Sequence, residues 1–322
     1  MEKTIKLLKN VLYILLLCIS LHWGYSAVKF LVAEGHGLFG LSFIIVILLG
    51  FLFRKTTFIR NIYTYINSNK LIVTIMMACF QLMILFSSSL MIRSDASVVF
   101  NAASGAIDPA SAQNYFTENA NNLPLFLYEY SFFKVFGDHA LWVMQLLNIA
   151  YVHVALWISF YTVKKHFSLE VADIYFWLFT LIIGFSPQFL AMYTDVMSLP
   201  IIALIIYIML SIISKDKITT RTIHSIILVS MLMGIGYFIR PTLVILLIAF
   251  LLTIMLYRNF KSLLATLILV VLGFTLSYFP LNGIIHNQTI ITPEFNKSKN
   301  MLTFIDLGLT FNGSDQIDFQ MG

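Results

Sequence analysis

Long apolar runs separated by short basic stretches leave this chain few ways to fold. A helix needs roughly 20 mostly apolar residues to cross about 30 Å of hydrocarbon, where backbone polar groups find no water. Runs of that character recur at 11–32, 38–53, 71–92, 141–163, 171–185, 196–213, 223–238, 242–257 and 263–279. Charged residues make up 11% of the 322 and hydrophobic ones 59%, against about 25% charged in an ordinary soluble domain. The pattern predicts an all-α, polytopic transmembrane bundle of about nine spans. Several runs fall short of a full crossing, which fits helices that tilt or stop at a cavity.

Lysine and arginine set the orientation of such a chain. Lys3, Lys6 and Lys9 precede the first run, and Arg54, Lys55, Arg60 and Lys70 separate the second from the third. Lys164 and Lys165, then Lys215, Lys217 and Arg221, then Arg258 and Lys261 mark later turns. Most acids fall in the alternate segments: Asp95, Asp108, Glu118, Glu129, Asp138, Glu294, Asp306, Asp315 and Asp318. The expected topology is a multi-pass cell-membrane protein with a cytoplasmic N-terminus and the segments 93–138 and 280–322 outside. The net charge of +5 is then a positive-inside bias, and no basic stripe with interleaved aromatics points to nucleic acid. The first apolar run continues too far for a cleaved leader and lacks a small-residue cleavage site, so it reads as an uncleaved helix.

Four parts follow: a three-span segment 1–92, an extracytoplasmic loop 93–138, a six-span core 139–283, and an extracytoplasmic tail 284–322. The loop is patterned. Residues 96–106 suit a surface helix, and Asp108-Pro109 gives a fresh helix start at 110–120. Asn121-Asn122-Leu123-Pro124 breaks it, and the aromatic stretch 125–136 reads as a short re-entrant or interfacial helix closed by Gly137-Asp138. The tail turns to Asn, Thr, Ser, Asp and Gly. Its end without a closing element reads as a truncated form of a longer protein.

An acid at membrane depth is costly and marks a functional site by default. Asp95 follows the third run directly. A carboxylate there, partly buried under surface helices, can act as a general base, or it can simply pair with Arg93. Asp195, in Tyr193-Thr194-Asp195, stands between Pro187 and Pro200 at the start of a run; its alternative is a helix cap. Arg240-Pro241 places a guanidinium at the outer membrane edge, suited to fork onto a phosphate or to snorkel to headgroups. Tyr115, Asn121 and Asn122 can bind sugar hydroxyls, or the two amides can make a turn. The histidines lack ligand spacing. Asp95 and Asp195 are the pair that could share a divalent cation such as Mg or Mn through oxygen ligands.

Together these residues resemble the integral-membrane GT-C glycosyltransferases, the superfamily of the dolichyl-phosphate-mannose protein mannosyltransferases, and its bacterial members above all. The resemblance rests on Asp95 after an early span and on Tyr115-Phe116 followed by Asn121-Asn122-Leu123-Pro124-Leu125-Phe126-Leu127. It also rests on Tyr193-Thr194-Asp195, Ile239-Arg240-Pro241-Thr242, and a tail of Pro293, Leu307-Gly308-Leu309, Gly313 and Asp315. It implies a sugar donor carried on a polyprenyl phosphate and transferred to a cell-envelope polymer, lipid or protein. Asp95 would be the catalytic base, Asp195 an aid to the acceptor or a metal, and Arg240 the holder of the lipid phosphate. Tyr115, Asn121, Asn122 and Tyr193 would contact substrate. Two other readings use the same charges: a transporter or flippase of a lipid-linked substrate, and a non-catalytic subunit of an envelope-assembly complex.

Overall fold

The computed structural model describes residues 56–88, 94–215 and 219–298, with scattered positions between 10 and 45. Most of the runs 11–32 and 38–53, Arg93, and the tail beyond 298 lie outside the described residues. The chain divides into two compact units, 1–72 and 73–322. In the first, an amphipathic helix α1 spans Thr57–Ser68.

The second unit is built on helices. Helix α2 (Lys70–Ser87) runs across the boundary, and α3 (Ser94–Ser104), α4 (Pro109–Glu118), α5 (Leu123–Phe136), α6 (Ala140–His166) and α7 (Leu169–Phe179) follow. Then come α8 (Thr194–Ile213), α9 (Thr220–Ile239), α10 (Val244–Tyr257) and α11 (Phe260–Asn287). No strand occurs among the described residues. Among the described residues, five helical stretches are long and apolar enough to cross a membrane: Lys70–Ser87, Ala120–His166, Thr194–Ile213, Thr220–Ile239 and Phe260–Asn287.

Two expected spans come out shorter. The run 171–185 is not one α-helix: α7 stops at Phe179 and passes into a π turn, Thr180–Gly184, in which Phe185 N donates to Thr180 O at 3.0 Å. The run 242–257 enters through a 3-10 turn, Pro241–Leu243, and leaves only the 14 residues of α10, about 21 Å at 1.5 Å per residue.

The expected surface helices form, with local chemistry that explains them. Asp108 caps α4, its Oδ1 accepting from Ala110 N at 3.0 Å and Ser111 N at 3.1 Å, and Pro109 opens the first turn without needing a donor. Pro124 differs from expectation. It sits in the first turn of α5, so the Asn-Asn pair makes a 3-10 link and the helix restarts at Leu123. Nor does α5 only lie in a headgroup layer. Leu123, Leu125 and Phe126 are buried with Val99, Ala103 and Phe116. Gly137 closes the helix at φ +56, a conformation open to glycine without strain.

Close helix packing at membrane depth relies on small residues, because lipid gives no hydrophobic drive between helices. The most extensive helix pair here is α9 with α11, and its seam fits that rule. A Cβ on Gly273 would meet Ile227 O at 2.6 Å and Ser230 Cβ at 2.7 Å. Across the same seam Ser277 Oγ donates to Met231 O at 2.9 Å. Elsewhere, a Cβ on Gly184 would run into the Met77 side chain. Gln81, fully buried, donates to Gly184 O at 2.8 Å and accepts at Oε1 from His153 Nε2, 2.9 Å away. That amide serves a carbonyl of the π turn that the irregular backbone would otherwise strand.

Charged helix ends segregate. Ser168, Thr219 and Asn259 cap α7, α9 and α11 at one end of the bundle. There Lys165 Nζ donates to Ser211 Oγ at 3.0 Å and lies 4.5 Å from the Tyr207 ring centroid. Arg258 reaches Ile212 O at 3.5 Å. The opposite end of α8 and α9 carries Asp195 and Arg240.

Gly273→Leu is expected to force α9 from α11 and cost about 1–3 kcal/mol, seen as a lower thermal midpoint in detergent. Gly283→Ala, where nothing lies within 4 Å, should stay within about 0.5 kcal/mol of the parent.

Candidate functional site

The site begins with two buried amides on α6. Gln145 and Asn148 lie one helical turn apart and turn the same way. Gln145 Nε2 donates to Leu190 O at 3.1 Å, and Asn148 Nδ2 donates to Phe189 O at 2.9 Å and Ala191 O at 3.2 Å. Both side chains are buried, and Asn148 is inaccessible. They serve the carbonyls of Phe189 and Leu190, while Asn148 shares that of Ala191 with Tyr193 N, 3.0 Å away. The loop into α8 is thereby fixed, and with it Tyr193 and Asp195.

Asp195 stands in the first turn of α8, whose N-cap residue, Tyr193, makes no side-chain capping bond. Neither Thr194 nor Asp195 is the cap. Asp195 instead forms a salt bridge with Arg240. Arg240 ends α9 in an extended conformation, φ −150, and its backbone N donates to Gly236 O at 2.7 Å. Pro241 then turns the chain into α10. The side chains are 38% and 55% exposed, Arg240 and Asp195 respectively, so the pair contributes at most about 1 kcal/mol to stability. Treated separately in the sequence, the two charges are partners in the fold.

The pair sits at a cavity of about 440 Å³. Gln188, Ser198 and Thr242 add polar groups near it, whereas Leu199, Ile202, Ile245 and Leu246 give apolar walls. Its chemistry suits an amphiphile, with an anionic end at the guanidinium and a hydrocarbon end along the walls.

Asp95 lies in the first turn of α3 and is exposed. It is joined electrostatically to the same face through two half-buried tyrosines. The Tyr193 hydroxyl is held above its ordinary value by burial and by the nearby Asp95 carboxylate, while Arg240 pulls it down. The Tyr115 hydroxyl is raised by burial first and then by Asp95, with the Asn122 amide acting the other way. Tyr193 therefore feels both Asp95 and Arg240.

The predicted sugar amides divide. Asn121 is exposed and donates to Asn122 Oδ1 at 3.2 Å. Asn122 is 5% exposed and donates to the Tyr115 hydroxyl at 2.6 Å, so it reaches a ligand only through Tyr115. The tail beyond α11 packs over this corner: Glu294 N donates to Thr117 Oγ1 at 3.1 Å, and the Phe295 ring centroid lies 4.0 Å from that of His286.

A shared cation between Asp95 and Asp195 finds little support in the donor set. Asp195 is engaged by Arg240, and no cluster of three or more His, Cys, Asp or Glu occurs among the described residues.

Glu129 is where the sequence reading went astray. Counted there with the loop acids, it is fully buried on α5, and neither carboxylate oxygen has a hydrogen-bond partner among the described residues. The signal was present: one acid inside an aromatic, apolar stretch. Gln81, Gln145 and Asn148 were also missed, although each is a lone amide inside an apolar run.

Residues 1–319 match the family described as "conserved hypothetical integral membrane protein". The chain belongs to that family. No curated protein and no solved structure matches it. Membership accords with the outer surface of the described helices, where Phe279, Ile268, Ile182 and Ile245 are all 60% exposed or more. In water such a surface would drive association, and in a bilayer it meets lipid.

Asn148→Leu keeps the branched shape but strands the Phe189 carbonyl, and should lower stability by about 1–3 kcal/mol. Thermal unfolding of the detergent-solubilised protein measures this. Asn121→Leu, at an exposed amide, serves as the comparison and should leave the midpoint in place.

Proposed function

We propose that the protein is a glycosyltransferase of the GT-C type, moving a sugar from a polyprenyl-phosphate donor to an extracytoplasmic acceptor in the cell envelope. The observation that carries this reading is the Asp195–Arg240 pair at a cavity with apolar walls, with Asp95 within electrostatic reach of Tyr193 beside it. A polyprenyl-phosphate sugar has that same division, a hydrocarbon chain and a phosphate headgroup at the membrane edge. In this reading the bundle completes about nine spans, the N-terminus is cytoplasmic, and the Asp195 end of α8 faces outward. The cations gathered at the other helix ends support that orientation.

The chemistry follows from the placement. Arg240 holds the donor phosphate, and Asp195 keeps the guanidinium aimed into the cavity. The acceptor oxygen attacks the anomeric carbon as the bond from that carbon to the phosphate oxygen breaks. The electron pair leaves with the polyprenyl phosphate, whose charge the guanidinium meets. Asp95 takes the proton lost by the acceptor hydroxyl. Tyr115 and Tyr193 offer ring faces and hydroxyls to the sugar, with Asn122 positioning Tyr115.

Asp95→Asn is expected to reduce sugar transfer from a polyprenyl-phosphate donor by about 10²–10⁴-fold, with membrane insertion unchanged. Transfer at the parental rate in that variant removes the base from the mechanism. Arg240→Ala should weaken donor binding more than turnover, because the phosphate is held in both ground and transition states. Equal donor affinity in parent and variant would contradict a phosphate contact.

A carrier of a lipid-linked anion is the second reading, and Glu129 favours it. A buried carboxyl without a partner is a proton-binding group of the kind that pumps and transporters use. Flux of a labelled lipid phosphate across proteoliposomes, lost in Glu129→Gln, would support the carrier over the transferase.

A further inference from the structure

The first turns of α8 separate two cavities. The second, about 250 Å³, is lined by residues of α5, α6, α8 and α9. Neighbouring residues on three helices divide between the two spaces. On α6, Tyr151 faces the smaller and Val152 the larger; on α8 Thr194 and Asp195 divide likewise, as do Ile239 and Arg240 at the end of α9. The two cavities therefore flank one layer of helices and meet at the residues that carry the reactive charges.

Their chemistry differs. The larger has a carboxylate and a guanidinium. Among the described residues no charged side chain and no side-chain amide lines the smaller, whose polar groups are the hydroxyls of Tyr128, Tyr151 and Thr194. Pro124, Leu125, Met197, Pro200 and Ile201 complete its wall. A peptide or polysaccharide entering it would leave most of its polar groups unmatched. A hydrocarbon chain would not, and a hydroxyl at its head would stop beside Thr194.

We infer that the smaller cavity takes the apolar chain of the acceptor, so that the acceptor is a lipid alcohol or a lipid-borne hydroxyl. This rests on the transferase reading. Sugar then passes from one membrane lipid to another. The acceptor oxygen bonds to the anomeric carbon released by the donor phosphate, and its proton goes to Asp95.

The test is photolabelling of the purified full chain in nanodiscs with a medium-chain primary alcohol carrying a diazirine. Labels are expected on Tyr151, Met197 and Ile201. Ile201→Trp fills the cavity and should cut that labelling on the order of tenfold, while binding of polyprenyl phosphate in the larger cavity persists. Should the tryptophan variant fail to fold, Ile201→Ala enlarges the space and should shift labelling towards branched or longer alcohols. Labels confined to lipid-facing positions such as Leu272 and Phe279, or undiminished by Ile201→Trp, overturn the inference. So does sugar transfer to water-soluble acceptors that Ile201→Trp leaves untouched. Labelling in the cavity with no transfer from any donor instead defeats the transferase reading and leaves an alcohol site.

Discussion

Irregular backbone at membrane depth must find hydrogen-bond partners inside the protein, because hydrocarbon supplies none. The stretch from Thr180 to Tyr193 is irregular throughout: a π turn, a bend, a 3-10 turn from Pro187 to Leu190, and an extended approach to α8. Three buried amides serve its carbonyls. Gln81 takes Gly184, Gln145 takes Leu190, and Asn148 takes Phe189 and Ala191. Without them the carbonyls of Gly184, Phe189 and Leu190 would lose their side-chain partners. With them the loop ends in a fixed place, and Asp195 begins α8 opposite Arg240. The placement of the charges thus depends on side chains that carry none.

The salt bridge itself contributes little to stability at its exposure. Its worth is chemical. A guanidinium presents five donors in a fixed fork, and a carboxylate beside it restricts the orientations available. An arginine left alone at a membrane edge would sample headgroups and water. Held by Asp195, it is aimed at a cavity whose other walls are hydrocarbon-like. Taken singly from the sequence, Asp195 is a reactive acid or a helix cap, and Arg240 a phosphate contact or a side chain snorkelling to headgroups. Their pairing joins the two arguments and removes capping as the reason for Asp195.

Periodicity and composition carried the class of the protein, since an apolar run long enough to cross a bilayer has few other uses. The helix start at Asp108-Pro109 was legible because capping is local chemistry. What eluded the sequence is non-local. Whether the run 171–185 is one span depends on how Gly184 packs against Met77 and bonds Gln81, and nothing near residue 184 says so. Pro124 was read as a stop but opens a helix, because proline fits a first turn as readily as a break. Glu129 was misplaced by counting acids per loop, a rule that gives side and not depth.

The two ends of the bundle differ in a way that bears on transfer against carriage. A carrier opens its binding site to each side in turn, by rocking or gating one group of helices against another. At the end carrying the cations, α6 is tied to α8 by Lys165 through Ser211, and Arg258 beyond α10 reaches the α8 carbonyl of Ile212. At the other end the loop 187–193, the tail over α4 and the 3-10 turn at Pro241 are short, separate pieces. The cavities lie at this second end. A bundle tied at one end and pieced together at the other suits reactants that enter and leave by the same face. That is the requirement of an enzyme acting on lipids of one leaflet.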